Sequence, residues 1–264
     1  MNFGLIEDKI LSFLQNYLKN SNLNAFSVGV SGGIDSAVVA TLCAKIAPTY
    51  ALIMPTKSSS SANLDDALNL VKKLNIEYKT IYLDDILENF IQKTNANTQL
   101  RIGNIIARSR MIMLYDHSAQ NKSLVVGTTN KSEIILGYGT IFGDLASALN
   151  PVANLLKTDI FEFAKYLKID KNIINKTPSA DLWEGQSDEG DFGYSYKQID
   201  EVLKFTWEYC GKKNGVLDDI LALCDIKFKQ LLKQKFNPNL VEFISTRAKN
   251  NKFKSLAIPV AEIY

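Results

Sequence analysis

Apolar residues near the start of the chain recur at helical spacing. Ile6, Ile10, Phe13 and Tyr17 would line one face of a helix over 3–19, with Glu7 and Asp8 in its first turn. The pattern then changes. AFSVGV (25–30) is a short apolar run suited to a parallel strand buried on both faces. It leads into SGGIDS (31–36) and an Ala/Val/Leu-rich helix to about 46. Further strands are predicted at 49–54, 78–83 and 123–127. Asn63 is expected to cap a helix whose inner face is Leu64, Ala67, Leu68, Val71 and Leu74. Helices are also expected up to about 93, over 104–117 and over 157–167. Ser195 with Gln198 forms a capping box opening another, and 217–248 reads as helical with a break at Pro238. Segment 136–143 is too glycine-rich for regular helix. PTKSSSS (55–61) and 177–194 are polar and aperiodic, and long segments of that kind in compact proteins usually act as lids or binding loops.

Strands alternating with helices predict an α/β fold, a doubly wound, Rossmann-like parallel sheet with helices on both faces. Ligands bind such sheets at the carboxyl ends of the strands. With 264 residues, the chain is expected to be a single domain over 1–264 with a helical C-terminal part at about 195–250.

Composition narrows the chemistry. Thirty Lys and Arg against 28 Asp and Glu leave a formal charge of +2, without the basic excess of a nucleic-acid binder. Cys43, Cys210 and Cys224 are odd in number and scattered, which excludes a disulfide scaffold and a zinc finger. His117 is the single histidine, read as an ordinary helix-end residue without a catalytic role. Charged residues interrupt the first apolar stretch, so a signal peptide is not expected, and no run approaches the ~18 apolar residues of a membrane span. A cytoplasmic protein is expected.

SGGIDS carries the chemistry. Gly32 and Gly33 permit unusual backbone conformations and close approach of main-chain N–H groups to a ligand. The following helix aims its positive end at the same point, and Ser31 and Ser36 add hydroxyls. The result suits a phosphate. Neither a Walker A loop nor G-x-G-x-x-G is present. Asp35 makes sense in an anion site if a Mg²⁺ bridges it to the phosphates.

SGGIDS resembles the pyrophosphate-binding loop of the N-type ATP pyrophosphatases, whose fold is adenine-nucleotide alpha-hydrolase-like. GNIIARSR (103–110), GTTNKSE (127–133), GYGTIFGD (137–144), NP (150–151), LLKT (155–158) and PSADLWEGQSDE (178–189) extend the resemblance to the NAD synthetases, closest to the short ammonia-dependent form, over about 5–260. The resemblance implies ATP contacts at Gly29, Ser31, Gly32, Gly33, Ile34, Asp35, Ser36, Thr128, Lys157 and Ser179. It implies Mg²⁺ on Asp35 and Glu133, and deamido-NAD contacts at Arg108, Asp144 and Lys254. Arg110 lies two residues beyond Arg108 and faces elsewhere on a helix; both are carried as substrate-binding candidates, one of them structural. Four departures stand out: Phe253 replaces a histidine, Gly137 stands where a substrate lysine is common, the interval between Glu133 and Tyr138 is shorter than in many relatives, and 55–61 lacks the Arg and Gln of some relatives.

The implied reaction joins ammonia to deamido-NAD. Its carboxylate attacks the α-phosphate of ATP, giving an adenylate and pyrophosphate; ammonia then displaces AMP and leaves NAD. No nucleophilic side chain is required. About 24 residues precede the first strand, too few for an amidase domain, so free ammonia is the expected nitrogen donor. A homodimer is implied. The rivals are a tRNA-modifying pyrophosphatase, which would need a basic face and often a C-x-x-C pair, and a nucleotide sensor without turnover, against which Asp35 and Glu133 argue.

Overall fold

The computed structural model describes residues 1–183, 185–211 and 215–261. Glu184, inside the 178–189 motif, and the last positions of the expected domain lie outside them. The sequence elements assemble as α1 (Phe3–Asn20), β1 (Ala25–Gly29), α2 (Ile34–Ala44), β2 (Thr49–Ile53), α3 (Ser61–Lys73), β3 (Glu77–Thr80), α4 (Asp84–Thr94), α5 (Gln99–Gln120) and β4 (Ser123–Val126). Then follow α6 (Lys131–Leu136), α7 (Lys157–Tyr166), α8 (Lys171–Ile174), α9 (Asp188–Phe192), α10 (Tyr196–Tyr209), α11 (Val216–Cys224), α12 (Ile226–Lys235) and α13 (Pro238–Asn251).

The strands form one parallel sheet in the order β3-β2-β1-β4. The strand that carries the glycine loop is therefore central, with Val28 opposite Ala51 on one side and Val126 on the other. Alternate residues face opposite layers, as strand geometry requires. Phe26, Val28, Ala51, Ile53, Leu124 and Val126 pack with α1, α2, α3 and α7. Leu52 and Val125 pack with α4 and α5. Ser27 points to that second side, where its hydroxyl meets Ser123 Oγ at 2.7 Å and His117 Nδ1 at 3.4 Å. His117 thus serves packing at the far end of α5. α6 and α9 to α13 form a further apolar cluster around Ile199, Val202, Leu223, Leu232 and Ile244.

Three expectations change. α3 begins at Ser61, ahead of Asn63, whose side chain is engaged by Lys176 instead of capping. The 177–194 stretch contains a helix, α9, capped by Ser187. The C-terminal helical run breaks at Asp225 as well as at Pro238, and Asp225 itself caps α12 through Phe228 N.

Candidate active site

β1 ends in a turn that only glycine can make. Gly32 has φ +80°, and a Cβ there would lie 2.1 Å from the Asn63 carbonyl oxygen. Ser31 and Ser36 then tie the turn: Ser36 Oγ donates to Gly33 O (2.9 Å), Ser31 N donates to Ser36 Oγ (3.2 Å) and Gly33 N to Ser31 Oγ (3.2 Å). The start of α2 has no side-chain cap. Its first N–H groups are left for an external acceptor, an arrangement that favours an anion.

Asp35 lies in that first turn, and two segments from elsewhere converge on it. Asn130 Nδ2 donates to Oδ1 (2.9 Å) and Lys157 Nζ to Oδ2 (2.6 Å). Asn130 is the N-cap of α6, and Glu133 closes a capping box with it through Asn130 N (3.1 Å) and Asn130 Oδ1 (3.0 Å). The free oxygen of Glu133 accepts from Lys157 Nζ at 3.0 Å. Lys157, the first residue of α7, is 3% exposed and lies over the Tyr196 ring at 5.2 Å. Tyr196 in turn donates to Asp188 Oδ2 (3.0 Å), while the buried Asp188 Oδ1 has no partner.

Burial, aided by Asp35 and Asp188 and opposed by Lys157, pushes the Glu133 carboxyl up. Burial alone would push the Lys157 ammonium down, but Asp35 and Glu133 overcome it and hold it above its ordinary value. Burial also pushes Asp188 up. Three carboxylates thus share one ammonium. The donor set is all oxygen, and two of the carboxylates stand beside the glycine turn. Mg²⁺ binds through one or two carboxylates plus phosphate oxygens. Among the described residues no group of three or more His, Cys, Asp or Glu is placed to hold a metal alone. Asp35 and Glu133 therefore fit a Mg²⁺ completed by substrate phosphates.

The two polar loops meet. Ser60 N donates to Asp181 Oδ2 (3.2 Å) and Ser58 Oγ to Leu182 O (3.3 Å). Lys176 Nζ reaches Asn63 Oδ1 (2.6 Å), Asp66 Oδ2 (2.6 Å) and Gly32 O (3.3 Å), joining the second loop to the glycine turn. Ser179 Oγ accepts from Asp181 N (3.0 Å) at the same junction. Thr128 stands half-buried beyond β4.

The predicted acceptor-side residues gather around the 137–144 loop. Arg108 is exposed and donates to Ile141 O (3.3 Å). Asp144 Oδ1 accepts from Thr140 N (2.9 Å). Burial pushes its carboxyl up, against the hydrogen bonds from Thr140 and, more weakly, the charge of Lys254. Lys254 Nζ donates to Gly137 O (2.8 Å) and Gly139 O (2.9 Å). Gly137 has φ +62°, and a Cβ there would lie 2.1 Å from Asn251 Cβ, so a lysine cannot stand at this position without moving α13. Arg110 separates from Arg108. Its Nε donates to Met54 O (3.2 Å) beyond β2, and both Asp181 and Asp144 act on its charge. Asn130, Lys176, Asp188 and Tyr196 were not anticipated. Of these, Asn130 has a local signal, the N-x-x-E box with Glu133, and Asp188 lies inside the 178–189 motif.

Comparison with known proteins identifies relatives of the whole chain. A sequence profile of the NAD synthase family matches residues 6–257. The NH(3)-dependent NAD(+) synthetase of Campylobacter jejuni is 45% identical over 100% of both chains. Among solved structures, the NMN synthetase of Francisella tularensis superposes with a TM-score of 0.85 at 33% identity, covering 100% of both chains. The Campylobacter jejuni NH3-dependent NAD synthetase, solved with a nitrate ion, superposes with a TM-score of 0.81 at 40% identity, covering 99% of this chain and 100% of that one.

Proposed function

The chain belongs to the NAD synthase family, and we propose that it amidates deamido-NAD with ammonia, consuming ATP and releasing AMP and pyrophosphate through an adenylated intermediate. The observation that carries this reading is the Asp35–Lys157–Glu133 cluster beside an uncapped helix start.

The deamido-NAD carboxylate oxygen bonds to the α-phosphorus, and the bond to pyrophosphate breaks. Ammonia then attacks the acyl carbon; the C–O bond to AMP breaks and the amine loses a proton. Gly32, Gly33 and the first N–H groups of α2 bind the departing phosphates, with Ser31 and Ser36 holding the turn. Lys157 supplies a point charge to the same phosphates. Asp35 and Glu133 would hold the Mg²⁺, which neutralises charge on the leaving group. Thr128 and Ser179 add contacts to ATP. Arg108, Asp144 and Lys254 orient deamido-NAD, and Arg110, bonded to Met54 O, is the structural one of the two arginines. Positioning and charge neutralisation provide most of the acceleration in such transfers. The joined 55–61 and 177–187 loops keep water from the adenylate.

We place the enzyme in the cytoplasm as a homodimer. No described helix is long and apolar enough to cross a membrane. Leu100, Ile112 and Tyr115 on α5 are exposed and offer a self-association face. Sedimentation at micromolar concentration tests this.

Purified protein with deamido-NAD, ATP, Mg²⁺ and ammonium should form NAD; absence of product refutes the reading. Glutamine in place of ammonium should be inert. The Francisella match supports a second acceptor, the corresponding mononucleotide. The kcat/KM ratio of the two acceptors decides between them.

A further inference from the structure

We infer that Asp200 is a positioning residue of the active site, holding Lys157 and Glu133 in register through Ser132. Asp200 lies on α10, between the buried Ile199 and Val202, and is 3% exposed. Its Oδ1 accepts from Ser132 Oγ (2.6 Å) and its Oδ2 from Thr158 N (2.8 Å). Ser132 Oγ accepts from Lys157 N (2.9 Å). The chain of bonds therefore closes on itself: Lys157 N to Ser132, Ser132 to Asp200, Asp200 to Thr158. Ser132 immediately precedes Glu133, and Thr158 immediately follows Lys157.

Each bond has one possible direction. A carboxylate only accepts, so Ser132 must donate to it and is left to accept from Lys157 N. An asparagine can still accept from Thr158 N–H through Oδ1, but its Nδ2 then faces the Ser132 hydroxyl and reverses that contact, so the Ser132 bond to a charged acceptor is lost. The first turns of α6 and α7 are then held less firmly. Glu133 and Lys157, which meet at 3.0 Å, move with them. A carboxylate that merely capped α7 would need Thr158 alone and would leave Ser132 out.

This rests on the synthetase reading above. The test is a double-mutant cycle of Asp200→Asn and Ser132→Ala, with kcat, KM and melting temperature recorded for each. Both single variants should lower kcat by about 10–100-fold with acceptor KM within about threefold. The double variant should be no slower than the slower single, because the relay acts as a unit. Melting temperatures should stay within about 5 °C of wild type. Multiplicative losses in the double variant, or unchanged kcat in either folded single variant, overturn the proposal. Should Asp200→Asn not fold, kcat of the milder Ser132→Ala decides alone. A wild type that forms no NAD refutes the synthetase reading only; ATP affinity of the same variants, by calorimetry, still reads the relay and should fall at least about fivefold.

Discussion

Lys157 and Asp35 form a 2.6 Å ion pair in which the lysine is 3% exposed. A cation in the first turn of a helix opposes the helix dipole. It is retained because two carboxylates from other segments surround it. Lys157→Met should lower kcat/KM by about 100-fold or more, and Lys157→Arg should not restore it, since a planar fork cannot replace a point charge between two carboxylates.

The same substitution tests stability. Removing one partner of a buried pair costs about 3–5 kcal/mol. Burial already holds the Glu133 carboxyl up, and loss of Lys157 raises it further. A raised carboxyl contributes stability at low pH and loses it as pH rises. The Lys157→Met deficit in urea denaturation should therefore stay nearly constant between pH 5 and 7, where Glu133 holds its proton with or without Lys157, and grow as pH rises past about 8.

Gly32→Ala forces a side chain at φ +80° into the Asn63 carbonyl. Strain of this kind costs about 1–3 kcal/mol. Gly33 has φ −87°, an ordinary value. ATP affinity by calorimetry should fall at least tenfold more for Gly32→Ala than for Gly33→Ala, about 1.4 kcal/mol. Equal losses would contradict the turn geometry.

Asp200 titrates in an accessible range. Burial pushes it from 3.8 to about 6, against the pull of Ser132 and Thr158 and with help from Asp159. Between about pH 4 and 6 the native state holds a proton that the unfolded chain has released, so this group's contribution to stability is lost as pH rises. Asp200→Asn lacks that slope. The stability of Asp200→Asn relative to wild type should rise with pH by up to about 1.4 kcal/mol per unit over that window and level off above pH 7. Urea midpoints at pH 4.5, 5.5 and 7 check it.

Lys131 and Asp219 pair at 2.5 Å with side chains 4% and 1% exposed, and Trp207 lies 5.6 Å from the ammonium. Asp219→Ala should cost about 3–5 kcal/mol, and Lys131→Met with Asp219→Leu should recover most of it. A double variant as unstable as the single would mean that the pair does more than hold the helical layer to α6.

Asp181 joins the two polar loops through Ser60 N. Asp181→Ala should speed hydrogen exchange at the Ser60 amide by about tenfold or more while leaving core amides unchanged.

Hydrophobic periodicity located β1, β2 and β4 because each is an apolar run between turn residues; β3, EYKT, is polar and mostly exposed, and it ends at Thr80, short of the expected 83. Periodicity placed the start of α3 too late because Ser60 and Ser61 are polar and resemble a loop. It missed the break at Asp225 because a single residue separates α11 from α12 and neither Gly nor Pro marks it. Among site residues, Asp35, Glu133 and Lys157 lie inside local motifs, so they could be found. Asp188 also lies inside a motif, 178–189, whereas Tyr196 and Lys176 lie outside every motif and take their places through contacts made in the fold. Asp200 had one local cue, a carboxylate on a stripe formed by Ile199, Val202 and Leu203.

Asp35 and Lys157 are 122 positions apart. At a synthesis rate of about 5–20 residues per second, Asp35 waits roughly 6–24 seconds for its cation after leaving the ribosome. Throughout that interval β1, α2 and β2 can pair, but the carboxylate must stay hydrated. The nascent chain therefore keeps that carboxylate in water until α7 emerges and supplies its cation.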